Sequence, residues 1–286
     1  MNIFSNNKDF WEKAIISRRS VRSYKCEPLS LETMEKLRIF VSTNEIPFSN
    51  LVKIVFFKAR KNYPLANNLK RPPEDAVAFI TDTSNILNVA AVGFVGQILL
   101  LYAQGLGISN CWFGHYILKE IEQLVPGIDL IKEVDKPHFG YGKGNVDGIH
   151  VVCVSPLGYF KSDGMRIVDR ITSNVISFKR KSLDNLLLDN IKEEALPKSL
   201  KIAFDMARKA PSAANTQHWR YSVNNDNKII EIKKLKGFKH FKWEHAEVDV
   251  GISAAHFFIG LLMQNINCEV KQISENNDII WRFKLL

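Results

Sequence analysis

Two long apolar runs divide the chain. Ile86 to Tyr102 is almost wholly apolar, and Val248 to Asn265 repeats that character later. Small residues stud both: Gly93 and Gly96 in the first, Gly251, Ala254, Ala255 and Gly260 in the second. Both runs read as helices buried on all sides, the first ending at Gly105-Leu106-Gly107. A membrane span needs about 20 apolar residues; the first run is shorter and interrupted by Asn88 and Gln97, so a core helix is expected.

Around these runs the pattern is amphipathic. Lys8 to Ile16 reads as a short helix. Ser30 is placed to cap another, with Leu31, Met34, Leu37 and Val41 on one side and Ile46 to Asn50 ending it. Leu200, Ile202, Phe204, Met206 and Ala207 mark a third, stopped by Pro211. Strands are expected at Leu51–Phe57, Ala76–Thr81, Ile149–Val154, His218–Val223, Lys228–Leu235, Cys268–Ile273 and Ile279–Leu285. A polar linker with Pro64, Pro72 and Pro73 separates the first two, and Pro156 to Tyr159 is expected to turn the third toward the surface. The expected class is α+β, with antiparallel or mixed sheets flanked by helices and two long buried helices at the centre.

Composition narrows the function. A chain of 286 residues, 46% apolar and 24% charged, is ordinary for a soluble globular protein. The net charge is +9, but the lysines are dispersed and no basic block is interleaved with aromatics. This favours a locally basic pocket for a small anion, or a merely basic surface, over a nucleic-acid track. The four cysteines, Cys26, Cys111, Cys153 and Cys268, lie far apart without a C-x-x-C pair, which indicates neither a disulfide framework nor a zinc ribbon. The N-terminus has no apolar core of a secretory signal, so a reducing cytoplasm is expected. His240 and His245 are five apart and no H-E-x-x-H occurs, so no metal site is expected. His256 falls on an apolar face and reads as a satisfied core histidine.

Three stretches carry candidate chemistry. Ser17-Arg18-Arg19-Ser20-Val21-Arg22-Ser23-Tyr24 follows the first helix with three arginines and three serines, either a phosphate cradle or a solvated basic turn. Ala210-Pro211-Ser212-Ala213-Ala214-Asn215-Thr216-Gln217 links helix to strand with small residues and three polar side chains. It suits the face of an aromatic cofactor and equally an ordinary turn. Ile108-Ser109-Asn110-Cys111-Trp112-Phe113-Gly114 follows the first buried helix. No His/Asp pair accompanies Cys111, so a packed thiol is favoured over a nucleophile. Phe139-Gly140-Tyr141-Gly142-Lys143-Gly144 lacks the GK[ST] ending of a phosphate loop and reads as a surface loop.

The chain also matches itself. Arg18-Arg19-Ser20 corresponds to Arg180-Lys181-Ser182 at an offset of 162, and Pro47-Phe48-Ser49-Asn50 to Pro211-Ser212-Ala213-Ala214-Asn215 at 164. Val92-Gly93 corresponds to Val250-Gly251 at 158. Landmarks in one order at nearly one offset indicate an internal duplication, taken as halves 1–175 and 176–286 packed like the subunits of a two-fold dimer.

Arg18-Arg19-Ser20-Val21-Arg22, Gly105-Leu106-Gly107 with Cys111-Trp112-Phe113-Gly114, and Pro211-Ser212-Ala213-Ala214-Asn215-Thr216-Gln217 together resemble the signatures of the FMN-dependent nitroreductase family. The resemblance covers nearly the whole chain as two fused copies, as in the branch where one polypeptide mimics the usual homodimer. It implies a nitroreductase-like fold and an FMN site at the junction of the halves. The first half keeps the arginine motif but has Phe48 in its loop; the second keeps the loop but has Leu183 and Asp184 where the motif's Val and Arg would fall. One complete site is therefore implied. Arg18, Arg19, Ser20 and Arg22, with Arg180, would hold the phosphate and ribityl chain. Pro211, Ser212, Ala213, Asn215 and Gln217 would meet the ring and ribityl from the other half. The backbone of Asn110, Cys111, Trp112, Phe113 and Gly114 would approach the ring. His218 departs from the family's usual proline.

The resemblance further implies an oxidoreductase in which NAD(P)H supplies hydride to FMN and a nitroaromatic, quinone-like or related small-molecule acceptor then takes the electrons. This is a ping-pong cycle without a side-chain nucleophile. The implied protein is a monomer acting as a pseudo-dimer, without nucleic-acid or membrane partners. Two other classes stay in view: a flavin-binding storage or sensing protein without NAD(P)H turnover, and a basic interaction module for nucleic acid, which the dispersed lysines disfavour.

Overall fold

A polypeptide whose most apolar segments are helical must bury them against each other, and that requirement organises the molecule. The computed structural model describes residues 3–59, 73–114, 124–125, 148–161, 179–239, 245–276 and 278–286. In chain order it contains α1 (Lys8–Ser17), α2 (Leu31–Thr43), β1 (Lys53–Lys58), β2 (Asp75–Asp82), α3 (Ile86–Gly105), β3 (Ser109–Asn110) and β4 (Ile149–Gly158). There follow α4 (Lys198–Arg208), β5 (Trp219–Val223), β6 (Ile229–Lys234), α5 (Ala246–Leu262), β7 (Cys268–Glu275) and β8 (Asp278–Leu285). Short 3-10 turns at Ser49–Leu51 and Ala213–Asn215 lead into β1 and β5. The expected glycine-rich loop at Phe139–Gly144 and most of the proline linker lie outside the described residues.

The strands form two four-stranded sheets, ordered β1-β2-β4-β3 and β5-β6-β8-β7, with every ladder antiparallel. The wiring is the same twice: two strands, a long helix, two more strands, in the same spatial order. The α+β class and the duplicated architecture expected from the sequence are both present.

The helices α3 and α5 pack against each other at the centre. α5 is buried along its whole length, and α3 continuously from Val89 to Leu101. Burying a Leu, Ile or Phe side chain contributes about 1.5–3 kcal/mol, so this pair supplies much of the driving force for folding. Their crossing is reciprocal. A methyl group built on Gly93 would lie 2.0 Å from the Val248 carbonyl oxygen, and one on Gly251 would lie 2.2 Å from the Ala90 carbonyl oxygen. Both pairs are related by the same 158-residue offset, so each glycine admits the backbone of its counterpart's helix. α3 is long and apolar enough to cross a membrane, yet it lies in the core, as expected.

Local signals explain the remaining elements, with two exceptions. Ser30 Oγ accepts the Thr33 N–H at 3.1 Å and starts α2. Gly107, at φ +83, releases the chain from α3. Leu31 was expected on the apolar side of α2 but is 91% exposed, because it occupies the first turn and Leu37 and Phe40 do the packing. Pro156 was expected to end β4, yet the strand continues buried to Gly158. Pro156 is tolerated where the ladder to β3 gives out, since the Ser155 hydroxyl there accepts the Cys111 N–H at 3.3 Å.

Candidate functional site

The Arg18–Tyr24 segment leaves α1 in extended conformation and is stitched to the edge of the first sheet. Ser20 makes a parallel bridge to Asn110, Val21 donates to the Asn110 carbonyl at 3.1 Å, and Tyr24 pairs with Phe160. These contacts hold Arg18 inward. Its Nε and Nη1 are buried with no hydrogen-bond partner among the described residues. Burial, and then the nearby charge of Arg180, bring its pKa down to about 10, so it remains a cation at neutral pH. Two buried guanidinium nitrogens without an acceptor are expensive to keep. Arg19 instead lies over the Phe160 ring at 4.2 Å, and Ser20 and Arg22 are exposed.

The Asn110–Gly114 segment is anchored from below. Asn110 Nδ2 donates to the Leu100 carbonyl at 3.0 Å, and Phe113 exchanges two backbone hydrogen bonds of 2.9 Å with Val154. Cys111 is packed, with its thiol toward the Trp112 carbonyl, as the sequence favoured. The Trp112 Nε1–H donates to Gln97 Oε1 at 2.8 Å, and the Gln97 amide nitrogen faces His256 Nε2 at 3.0 Å. The amide can only donate there, so the histidine proton sits on Nδ1 and is donated to the Met206 carbonyl at 3.0 Å. Burial first, and then Arg18, depress the His256 pKa to about 3, against the pull of the Met206 bond, so the ring is neutral. This chain of contacts joins α3, α5 and α4 beside Arg18. At the offset of 158, Gln97 corresponds to Ala255 and His256 to Ile98, so the opposite side of the helix pair has no such chain.

The Pro211–Gln217 loop holds three non-glycine residues in the left-handed region, Ala214 at φ 49, Asn215 at φ 54 and Gln217 at φ 47. Each such residue costs of order 1 kcal/mol, and the surrounding bonds enforce all three. Ser212 Oγ accepts the Gln217 N–H at 3.0 Å, and Asp249 of α5 accepts the Ala213 N–H at 2.9 Å. Asp249 is buried, and burial lifts its pKa to about 8, although the Ala213 bond favours the charged form. Its counterpart in α3 is Ala91. Asn215 Oδ1 accepts from Arg180 Nη1, and Gln217 is tied to the 179–181 backbone.

The structure therefore brings Arg18, Arg180, Asn215 and Gln217 into one neighbourhood and joins Ser20 to Asn110. Phe48 in the first half's loop takes a different role, packing edge-on against Phe94 at 5.7 Å and Trp281 at 5.2 Å. Sequence reasoning passed over Gln97, Asp249 and Lys181 as site residues; it read His256 as a satisfied core histidine, and the ring is indeed fully buried with both nitrogens hydrogen-bonded. The signal that finds three of them is internal: each of Gln97, Asp249 and His256 is polar where its partner at the 158 offset is apolar.

No curated protein matches the chain. A solved structure described as a putative nitroreductase from Thermotoga maritima aligns over 96% of this chain and 93% of its own, with a TM-score of 0.61 and 16% identity, and shares the fold. A second putative nitroreductase, from Desulfovibrio desulfuricans and in complex with FMN, covers 64% of this chain and 97% of its own at 17% identity and a TM-score of 0.42. An FMN-dependent nitroreductase from Clostridium difficile covers 55% and 93% respectively, at 15% identity and a TM-score of 0.36. The family model described as "Putative TM nitroreductase" matches residues 11–130 and 136–261, and so takes in the arginine segment, both central helices and the Pro211–Gln217 loop. With most of its length matched by that model, the chain belongs to this nitroreductase family of oxidoreductases.

Proposed function

We propose that the protein is an FMN-dependent NAD(P)H oxidoreductase that reduces nitroaromatic, quinone-like or related electron-poor small molecules. It would hold one FMN per chain where halves 1–175 and 176–286 meet, as a cytoplasmic pseudo-dimer. The observation that carries this reading is the guanidinium of Arg18, whose buried Nε and Nη1 have no hydrogen-bond partner among the described residues and whose charge is felt by that of Arg180. A phosphomonoester supplies the negative charge that both groups lack and acceptor oxygens for Arg18 Nε and Nη1, so the residues fit the anionic end of FMN. When bound, the flavin supplies the hydride chemistry.

The chain's own residues would then bind and orient. Arg18 and Arg180 take the phosphate, with Ser20, Arg19 and Arg22 at the mouth. The Asn110–Gly114 backbone, fixed to β4 and to Gln97, gives a rigid wall. Neutral His256 adds no competing charge next to Arg18. Phe48, packed on Phe94 and Trp281, occupies the first half's loop with hydrocarbon and supports a single site.

The test is an absorbance spectrum after incubation with FMN and desalting, quantified per chain; about one flavin per chain is expected. Arg18→Met removes a buried charge while keeping the apolar stem. It should weaken FMN binding by about 30-fold or more and raise the stability of the flavin-free protein. Bound flavin without NAD(P)H oxidation would favour storage or sensing instead. Two flavins would mean that Phe48 does not close the second site, and none would remove the reading.

A further inference from the structure

Asn215 and Gln217 are engaged inside the protein. Gln217 is buried, its Oε1 accepts the Lys181 N–H at 2.8 Å, and its Nε2 donates to the Lys179 carbonyl at 3.0 Å. One carboxamide thus grips the backbone on both sides of Arg180, as a neighbouring strand would. Asn215 Nδ2 donates to the same Lys179 carbonyl at 3.2 Å, while its Oδ1 accepts from the Arg180 guanidinium. Arg180 Nη2 donates to the Lys209 carbonyl at 3.1 Å. Lys181 Nζ closes the arrangement on the Thr216 and Gln217 carbonyls at 2.9 and 3.2 Å.

This clasp works against two opposing effects. Arg180 is held near Arg18 and Arg208, whose charges repel it, and it is partly buried. An arginine has about 2 kcal/mol of rotamer entropy with which to swing away from such a place. The loop that restrains it carries three left-handed residues. An arrangement that is both strained and like-charged persists only when the surrounding bonds over-determine it, which is the signature of pre-organisation for a ligand.

We propose that Asn215 and Gln217 are positioning residues which set Arg180 opposite Arg18 as the second arm of a clamp for a phosphomonoester, and that they do not read the flavin ring. The proposal rests on the flavin reading above and assigns those two side chains to the phosphate end. It differs from the expectation that they meet the ring.

The experiment compares dissociation constants for FMN and for riboflavin, which has the same ring and ribityl chain without the phosphate, by quenching of flavin fluorescence. The wild-type chain should bind FMN more tightly than riboflavin. Gln217→Met and Arg180→Met should each weaken FMN by about tenfold or more and leave riboflavin within about twofold. Because Gln217 acts through Arg180, the double variant should lose no more than Arg180→Met alone. Asn215→Asp tolerates the left-handed backbone and offers Arg180 a competing carboxylate, so it should lower FMN affinity selectively as well. Parallel losses for both flavins, additive losses in the double variant, or unchanged FMN affinity would each overturn the proposal while leaving the flavin reading intact. A wild-type chain that binds neither flavin would overturn the flavin reading and the proposal with it.

Discussion

Gly93→Ala and Gly251→Ala will each destabilise the fold by about 3–5 kcal/mol, enough to unfold a protein of ordinary stability at moderate urea. Alanine is the better helix former by about 1 kcal/mol, so propensity alone predicts the opposite. The clash decides the sign. The added methyl group at either position would stand within 2.2 Å of a carbonyl oxygen on the facing helix, and a backbone carbonyl has no rotamer to move. The helices must separate, and every contact along them loosens together. Gly105 is a useful control, because a methyl there would meet the Phe10 ring, a side chain that can turn aside. Since Gly93 and Gly251 sit at one crossing, the double variant should cost clearly less than the sum, the separation having been made once. Equilibrium urea unfolding of the wild type and these four variants measures this. A loss under about 1 kcal/mol for either glycine would show that the helices slide past each other without cost.

Asp249→Asn will change the pH dependence of stability more than its value at low pH. The native carboxyl keeps its proton up to about 8, well above its ordinary value of 3.8, because it is buried. Between those values the folded protein holds a proton that the unfolded chain has released. The stabilisation is therefore full below the ordinary value and declines by about 1.4 kcal/mol per pH unit until the native carboxyl ionises. Asparagine keeps an acceptor for the Ala213 N–H and has no proton to lose. The variant and the wild type should be closest near pH 4 and diverge up to pH 8, with the variant the more stable. His256 bends the curve the other way. Its native value of about 3 lies below the ordinary 6.5, so its contribution is full above the ordinary value and fades as pH falls toward 3. Urea midpoints across this range for both proteins are the measurement, and parallel curves would mean that Asp249 is ionised in the fold.

How much of this was legible before the structure depends on which forces set each feature. The central helices were, because an apolar run with glycines at close spacing has few other fates than a crossing in a core. The two-residue β3 was not expected, because only its pairing with β4 makes Ser109–Asn110 a strand; apart from the end of β4, the other strands were legible to within a residue or two. β4 was misjudged at Pro156, since tolerance of that proline depends on Ser155 meeting Cys111 from a segment more than 40 residues away. The arginine segment was found from its charge, but which arginine turns inward was not. Arg18 goes in and Arg19 goes to Phe160 because of the Ser20–Asn110 bridge, a tertiary contact. The contacts of Asn215 and Gln217 were hidden for a similar reason. Their side chains reach residues 179–181 only after the loop has adopted positive φ angles that no local rule demands of alanine or glutamine.

The reciprocal glycines of α3 and α5 lie on one polypeptide, and this alters how the protein can change over generations. In a homodimer every substitution is written twice, so an aromatic residue that improves packing on one flank of the axis intrudes on the other. In a tandem chain each copy mutates alone. Phe48 can pack on Phe94 and Trp281 while Gln97, Asp249 and His256 stand where their counterparts are apolar, a difference between halves that one gene for a symmetric homodimer cannot encode. The same tether fixes the local concentration of one helix around the other, so dilution leaves the crossing assembled.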